Sequence, residues 1–224
     1  VHKTIEPAIH YWGTPVVLIS TLNEDGSANL SPMSSAWWLG WSCMLGLDAS
    51  SKTSENLQRE RECVLNLASV GLAPAVNRLA LLSGSSPLPL HKTFLGYEHE
   101  KDKFGVAGLN ADPSLDVRAP RVRECQVQLE AVVQEVRPFG ARDPRVAVPT
   151  LSFELRILRA HVEETILQAP DSHRIDADKW QPLLMTFRQF YGGGPRVQPS
   201  TLATGPEEAY APWKFAARPA KQPA

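Results

Sequence analysis

The chain has 224 residues, 43% of them apolar and 21% charged, and carries a net charge of −1. That is enough for one domain with a sizeable core, with a composition ordinary for a soluble protein. Near-neutral charge builds in no attraction to nucleic acid or acidic lipid, and no run reads as a membrane-spanning helix or an N-terminal signal segment, so neither nucleic acid nor membrane is an expected partner.

Residues 1–14 form a mixed lead-in. PVVLISTL (15–22) is dense in β-branched residues and predicts a buried strand. NEDGS (23–27) supplies turn chemistry, with Asp25-Gly26 suited to positive φ, so a hairpin is expected. The returning strand is expected over 28–39. Pro32 removes a ladder donor within it, which marks an edge, a bulge or pairing with something other than a strand. After Gly40, residues 42–48 are expected to return as the third strand of an antiparallel meander.

DASSKTSEN (48–56) leads into a helix expected over 52–61. A strand running into a serine- and lysine-bearing helix start has two physical uses. Ser50 or Ser51 caps the helix, or the unpaired N–H groups of the first turn join Ser50, Ser51, Thr53 and Lys52 in holding a phosphate. The residues alone favour the commoner cap.

Further strands are expected over 62–68, 126–136 and 151–167, and helices over 72–83 and 98–104. In the 126–136 strand Val127, Leu129, Ala131 and Val133 share one face, with Gln128, Glu130 and Gln134 on the other. The run 182–194 is apolar and aromatic and ends in three glycines. The expected organisation is a domain over 1–194 and a C-terminal arm over 195–224. Together these elements predict a mainly β protein with helical additions (α+β), an antiparallel barrel or sandwich. There is no βαβ alternation and no GxGxxG, against a dinucleotide-binding doubly wound sheet.

Other chemistry is sparse. The six histidines show neither HExxH nor a tight pair, so no metal site is expected, and there is no GxSxG elbow. Cys43, Cys63 and Cys125 are far apart and read as reduced thiols, which suits a cytoplasmic setting. Trp37, Trp38 and Trp41 crowd five positions. Core and interface burial is favoured over a flat wall for an aromatic ligand, because strand alternation sends Trp37 and Trp38 to opposite faces.

Taken in order, PVVLISTLNEDGSANLSPMSS, LGLDASSKTSENL and ECVLNL resemble the flavin reductase-like family with the FMN-binding split β-barrel fold. HEKDKFGVAGL (99–109) and APRVRECQVQLEAVV (119–133) extend the likeness. The resemblance implies that Asn29, Leu30, Ser31 and Pro32 meet the flavin ring and ribityl chain, with Ser34 and Ser35 near the ring edge. It further implies that Ser50, Ser51, Lys52 and Thr53 form the phosphate turn, which lifts the anion-site reading above the cap, with Asn56 and Lys103 as further contacts. Phe190 and Tyr191 are candidates to approach the ring. The implied function is an FMN-binding oxidoreductase taking hydride from NADH or NADPH, with a possible partner monooxygenase. The alternative is a non-catalytic FMN-binding or electron-carrier protein. A homodimer with the flavin between subunits is implied, and no side chain is assigned as catalytic.

Overall fold

In the strand Val17–Leu22, Val17 and Ile19 face one way and Leu18 the other, and all three are fully buried. A strand apolar on both faces must be covered on both, and the architecture follows from that demand. The computed structural model describes residues 1–146 and 148–204. Contacts divide the chain into Val1–Gly193 and Gly194–Ala224. The arm expected over 195–224 lies outside the described residues from 205 onward.

The first half runs β1 (Trp12–Pro15), β2 (Val17–Leu22), β3 (Ala28–Met33), β4 (Ala36–Leu39), β5 (Ser42–Asp48), α1 (Lys52–Glu60) and β6 (Glu62–Leu67). It continues through α2 (Ala73–Arg78), β7 (Leu82–Ser83), α3 (Leu90–Phe94), β8 (Glu98–His99), α4 (Lys103–Ala107), β9 (Ala111–Asp112) and β10 (Arg121–Val122). The long strands β11 (Val127–Phe139) and β12 (Thr150–Val162) follow, then the hairpin β13 (Leu183–Thr186) and β14 (Gln189–Gly192).

The main sheet has seven antiparallel strands in the order β3-β2-β6-β11-β12-β5-β4. Its two edges, β3 and β4, are consecutive in the chain and joined by only Ser34 and Ser35. Three peptide steps reach at most about 11 Å, whereas seven strands laid flat span roughly 29 Å. The sheet therefore has to curl until its edges nearly meet, giving a mainly β, antiparallel split barrel. Its interior holds Val17, Ile19, Leu45, Leu65, Phe153 and Leu155, joined by Leu57 from α1. Outside, Leu18 and Leu30 pack with Val76 and Leu79 near α2, Ala107 of α4 and Leu183 of β13.

The expected hairpin at 23–27 is present, with Gly26 at φ +79° and Asn23 bonded in both directions across the turn. The three-strand meander is not. The strand expected over 28–39 breaks at Ser34–Ser35, and β4 and β5 pair at the far edge, because β5 pairs along its whole length with β12 and carries β4 with it. Pro32 does lie in an edge strand. The 15–22 strand is likewise two strands, divided at Val16, whose N–H bonds the Leu183 carbonyl. The helix expected over 72–83 stops at Arg78 because Leu82–Ser83 pairs in parallel with Glu98–His99, which also displaces the 98–104 helix to Lys103–Ala107. The 151–167 strand ends at Val162. The 182–194 run folds as a hairpin, turning at Phe187 and Arg188, both at positive φ.

Gln128 and Glu130, assigned by alternation to the polar face opposite Val127, are buried. Residues 113–125 cover that face. Gln128 Nε2 donates to the Val122 and Cys125 carbonyls at 2.7 and 3.0 Å. The Glu130 carboxylate accepts the N–H groups of Leu115, Asp116 and Val117 at 2.9, 2.5 and 3.1 Å, and lies 2.6 Å from His161 Nε2. The three cysteines are buried and unbridged, and burial pushes their thiols up, Cys43 to about 12. They are inert packing residues.

Burial opposes ionisation of Glu130, yet its hydrogen bonds from the 115–117 backbone and His161 outweigh this and lower its pKa. Its folded value lies below the unfolded one near 4.3, so the stabilisation is complete above that pH and is lost as pH falls through the folded value. Glu130→Ala is expected to lower unfolding free energy at pH 7 by about 2–4 kcal/mol. Urea titrations at pH 7 and pH 4 check both points, the variant losing less on acidification than the wild type.

Candidate functional site

The start of α1 is built by its sequence. Ser51 is the N-cap: its Oγ accepts the Ser54 N–H at 3.1 Å, and Ser54 Oγ donates to the Asp48 carbonyl at 2.7 Å. Ser51 N–H bonds the Asp48 carbonyl and Glu55 N–H bonds the Ser51 carbonyl. Among the described residues the N–H groups of Lys52 and Thr53 have no partner, and they sit at the positive end of the helix dipole. The cap is present, and it leaves these two donors of the turn unpaired.

This turn forms one wall of a cavity of about 150 Å³. Six of the residues expected from sequence line it: Ser31 and Pro32 from edge strand β3, Ser51, Lys52 and Thr53 from the turn, and Lys103 at the start of α4. The lining also includes residues the sequence did not single out: Asp48 beside the turn, and Ser83, Gly84, Lys92 and Tyr97 from the segment that follows α2.

The other expected residues lie elsewhere. Leu30 is fully buried in the outer core, since alternation turns it away from Ser31. Asn29, 1% exposed, lies behind the groove: its Nδ2 donates to Thr21 Oγ1 and Thr53 Oγ1 at 3.2 and 3.1 Å, and its Oδ1 accepts from Lys103 Nζ at 3.1 Å. Asn56 is wholly buried, donating to Thr21 Oγ1 and Asn23 Oδ1 and accepting from Arg59, so its capacity is spent inside the fold. Ser34 is buried at the β3–β4 crossing. Ser35 accepts the Gly46 N–H on its carbonyl, with its Oγ 3.2 Å from Tyr11 Oη. Ser50 is exposed and donates from both N and Oγ to Asp48 Oδ1, at 2.8 and 2.7 Å. Phe190 joins the outer core, and Tyr191 is exposed on β14.

Charge sets the character of the groove. Lys103 is 3% exposed, and among the described residues it has no ion-pair partner, only the neutral Asn29 amide. Burial lowers its pKa to about 8, helped by the charge of Lys92 and opposed by Glu100. Burial also lowers Lys92, against the pull of Asp48 at 3.7 Å. Lys52 bonds Glu55 at 2.7 Å. Burial opposes ionisation of Asp48, but hydrogen bonds from Ser50 and His91 and the charge of Lys92 bring its pKa below the usual value. Burial, reinforced by Asp48, raises Tyr97. The charge of half-buried Lys92 adds to the cost of the buried Lys103 ammonium, and both line the cavity beside helix N–H groups that have no partner among the described residues.

Residues 9–194 match the flavin reductase like domain. The chain belongs to that family. The uncharacterized protein YdfE of Bacillus subtilis (strain 168) is 38% identical over 195 residues, covering 87% of this chain and 91% of its own. Among solved structures, flavoredoxin of Desulfovibrio vulgaris (Miyazaki F) superposes with a TM-score of 0.72 at 18% identity, over 92% of this chain and 100% of that one. Nitrilotriacetate monooxygenase component B from Bacillus cereus gives 0.68 at 17% identity, over 89% and 99%. At these identities the structural likeness establishes the shared fold. Among the described residues of this flavin reductase-like chain, no cluster of His, Cys, Asp or Glu is arranged for a metal, and no helix is long and apolar enough to cross a membrane.

The buried ammonium has a stability consequence. A free lysine titrates near 10.4, so the empty folded protein sheds the Lys103 proton before the unfolded chain does, and stability rises from about pH 8 to about pH 10.4. Lys103→Met removes the charge but orphans Asn29 Oδ1. It is expected to stabilise the empty protein at pH 7 by about 1–2 kcal/mol, and to lose that advantage above about pH 10. Thermal unfolding across this range is the check.

Proposed function

We propose that the protein binds FMN in this groove and acts as an oxidoreductase of flavin reductase type, taking hydride from NADH or NADPH. The acceptor is either free flavin destined for a partner monooxygenase or a small substrate reduced at the site. One observation carries the reading: the nearly inaccessible Lys103 ammonium, without an anionic partner among the described residues, faces a groove that also receives two unpaired N–H groups of α1. Family membership makes a flavin phosphate the anion that fits.

The residues divide the work by position. Lys52 and Thr53 would bind the phosphate through their backbone N–H groups, with the Ser51 and Thr53 hydroxyls beside them. Lys103 would neutralise it, while Asn29 holds both Lys103 Nζ and Thr53 Oγ1 from behind. Ser31 and Pro32 would line the path of the ribityl chain, on a strand edge where proline has no N–H to leave unpaired. Bound flavin supplies the hydride and electron chemistry, so the protein's own contribution is binding, orientation and exclusion of water. No side-chain acid or base is assigned. The compact phosphate turn and the absence of an adenine-binding motif favour FMN over FAD. The three buried thiols accord with a reducing, cytoplasmic setting.

A second copy is proposed to complete the site. Trp37, Leu39 and Trp41, on and just after edge strand β4, are 57%, 76% and 45% exposed, whereas Trp38 packs against the barrel core. An apolar strip on a strand edge is a surface that a symmetry-related copy would cover.

The purified protein is expected to carry a flavin absorption spectrum, to release FMN on denaturation, and to oxidise NADH or NADPH. Flavin binding without oxidation of either nicotinamide would replace the enzyme with an electron carrier, and failure to bind any flavin would end the flavin reading. In sedimentation the wild type is expected to run as a dimer and Trp37→Glu as a monomer. A wild-type monomer holding stoichiometric FMN would sink the shared site.

A further inference from the structure

The groove wall that the sequence did not reveal is a single closed arm. Its base is the parallel pairing of Leu82 and Ser83 with Glu98 and His99, reinforced by His99 Nδ1 at 3.1 Å from the Ser85 carbonyl. Between these ends the chain makes three contacts with the start of α1. Gly84 lies so close that a Cβ there would stand 2.6 Å from Asn29 Oδ1 and 3.1 Å from Lys52 Cγ. Ser85 Oγ donates to the Ser50 carbonyl at 3.5 Å. At the far end His91 Nε2 lies 2.9 Å from Asp48 Oδ2, with Lys92 Nζ 3.7 Å from the same oxygen.

Asp48 is the joint. Its Oδ1 receives both donors of Ser50 and so shapes the turn before α1, while its Oδ2 receives the arm. The side chain of Lys92 is only 12% exposed and its ammonium lies 5.9 Å from the centroid of the Tyr97 ring. It points into the same cavity as Lys52 and Lys103. Lys92 is paired with Asp48 and Lys52 with Glu55, while among the described residues Lys103 has no ion-pair partner, so net positive charge remains at a cavity of about 150 Å³.

We propose that Lys92, held by Asp48 on this arm, is a specificity-determining residue that selects flavin ending in a phosphomonoester over flavin whose phosphate continues into a diphosphate bridge. The inference rests on the flavin reading above and deepens it. A terminal phosphate carries close to two negative charges at neutral pH and offers three oxygens, so it engages Lys92 on the arm side as well as Lys103 and the α1 N–H groups on the other. A bridging phosphate carries one charge and needs an exit for the next group. The arm, seated on the turn through Gly84, Ser85 and His91, contributes Ser83, Gly84, Lys92 and Tyr97 to the cavity lining, so in this proposal it crowds a group that continues beyond the phosphate. Loss of Lys92 removes an interaction that only the terminal phosphate makes in full.

The test is the affinity of the wild type, Lys92→Met and Lys92→Arg for FMN, FAD and riboflavin, followed by quenching of flavin fluorescence, with thermal unfolding of each empty protein as the folding control. Methionine keeps most of the stem and removes the charge. Lys92→Met is expected to weaken FMN about 10-fold or more, to leave riboflavin within about twofold, and to narrow the preference for FMN over FAD. Lys92→Arg is expected to retain most of the FMN affinity. An unchanged FMN-to-FAD ratio in Lys92→Met, or equal weakening of all three flavins, overturns the inference while leaving the flavin site standing. If Lys92→Met does not fold, Lys92→Gln is measured by the same criteria. A wild type that binds none of the three overturns the flavin reading and this inference together.

Discussion

The two-residue link between β3 and β4 is the constraint on which the structure turns. It joins the opposite edges of a seven-stranded sheet, so the sheet cannot lie open. Once curled, it has an interior that β2, β5, β6 and β12 fill with aliphatic side chains and Phe153, and into which α1 inserts Leu57. The same curl places β3 at an edge, where its outer side is free of a partner strand. A groove can run beside that edge only because the chain leaves it unpaired, and Pro32 suits the position by having no N–H to offer.

Seating α1 by Leu57 aims its first turn at that groove and fixes the electrostatics. An ammonium such as Lys103 is costly to bury, and its depressed pKa expresses the cost. The fold tolerates it through a relay of hydrogen bonds in which Lys103 donates to Asn29, Asn29 donates to Thr53 and Thr21, and Asn56 donates to Thr21. These neutral side chains orient the cation without cancelling its charge. Glu130 makes the contrast: it too is buried, but three backbone donors and His161 satisfy it, so it fastens the loop before β10 rather than waiting for a ligand. A buried charge with full compensation is a structural device, whereas one facing a cavity marks a candidate site.

Much was legible in local patterns. The Asp25-Gly26 turn, the helix opening at Ser51–Lys52, the edge character of Pro32 and the opposite facing of Trp37 and Trp38 each depend on a few neighbouring residues, and periodicity or turn chemistry reads them directly. The turn residues Ser51, Lys52 and Thr53 were identifiable because they are contiguous. Leu30 and Asn56 stood beside them in the resemblance, yet their side chains go to the core and to an internal amide network. Proximity in sequence does not say which way a strand or helix presents a side chain.

What the sequence by itself determined is the set of pieces: short β-branched strands, one capped amphipathic helix with a cationic first turn, reduced thiols and the ordered motifs of a family. Only the tertiary structure decided which pieces meet. The separation of β3 from β4 across the whole sheet is long-range, because the pairing of β5 with the distant β12 carries β4 to the far edge. The burial of Gln128 and Glu130 arose because the preceding segment, residues 113–125, folds back over what alternation marks as a polar face. The wall formed by Asp48, Gly84, Lys92 and Tyr97 was hidden for the same reason. Its members lie up to 49 positions apart, and the ion pair, close glycine contact and parallel pairing that join them exist only once the arm has closed on the start of α1.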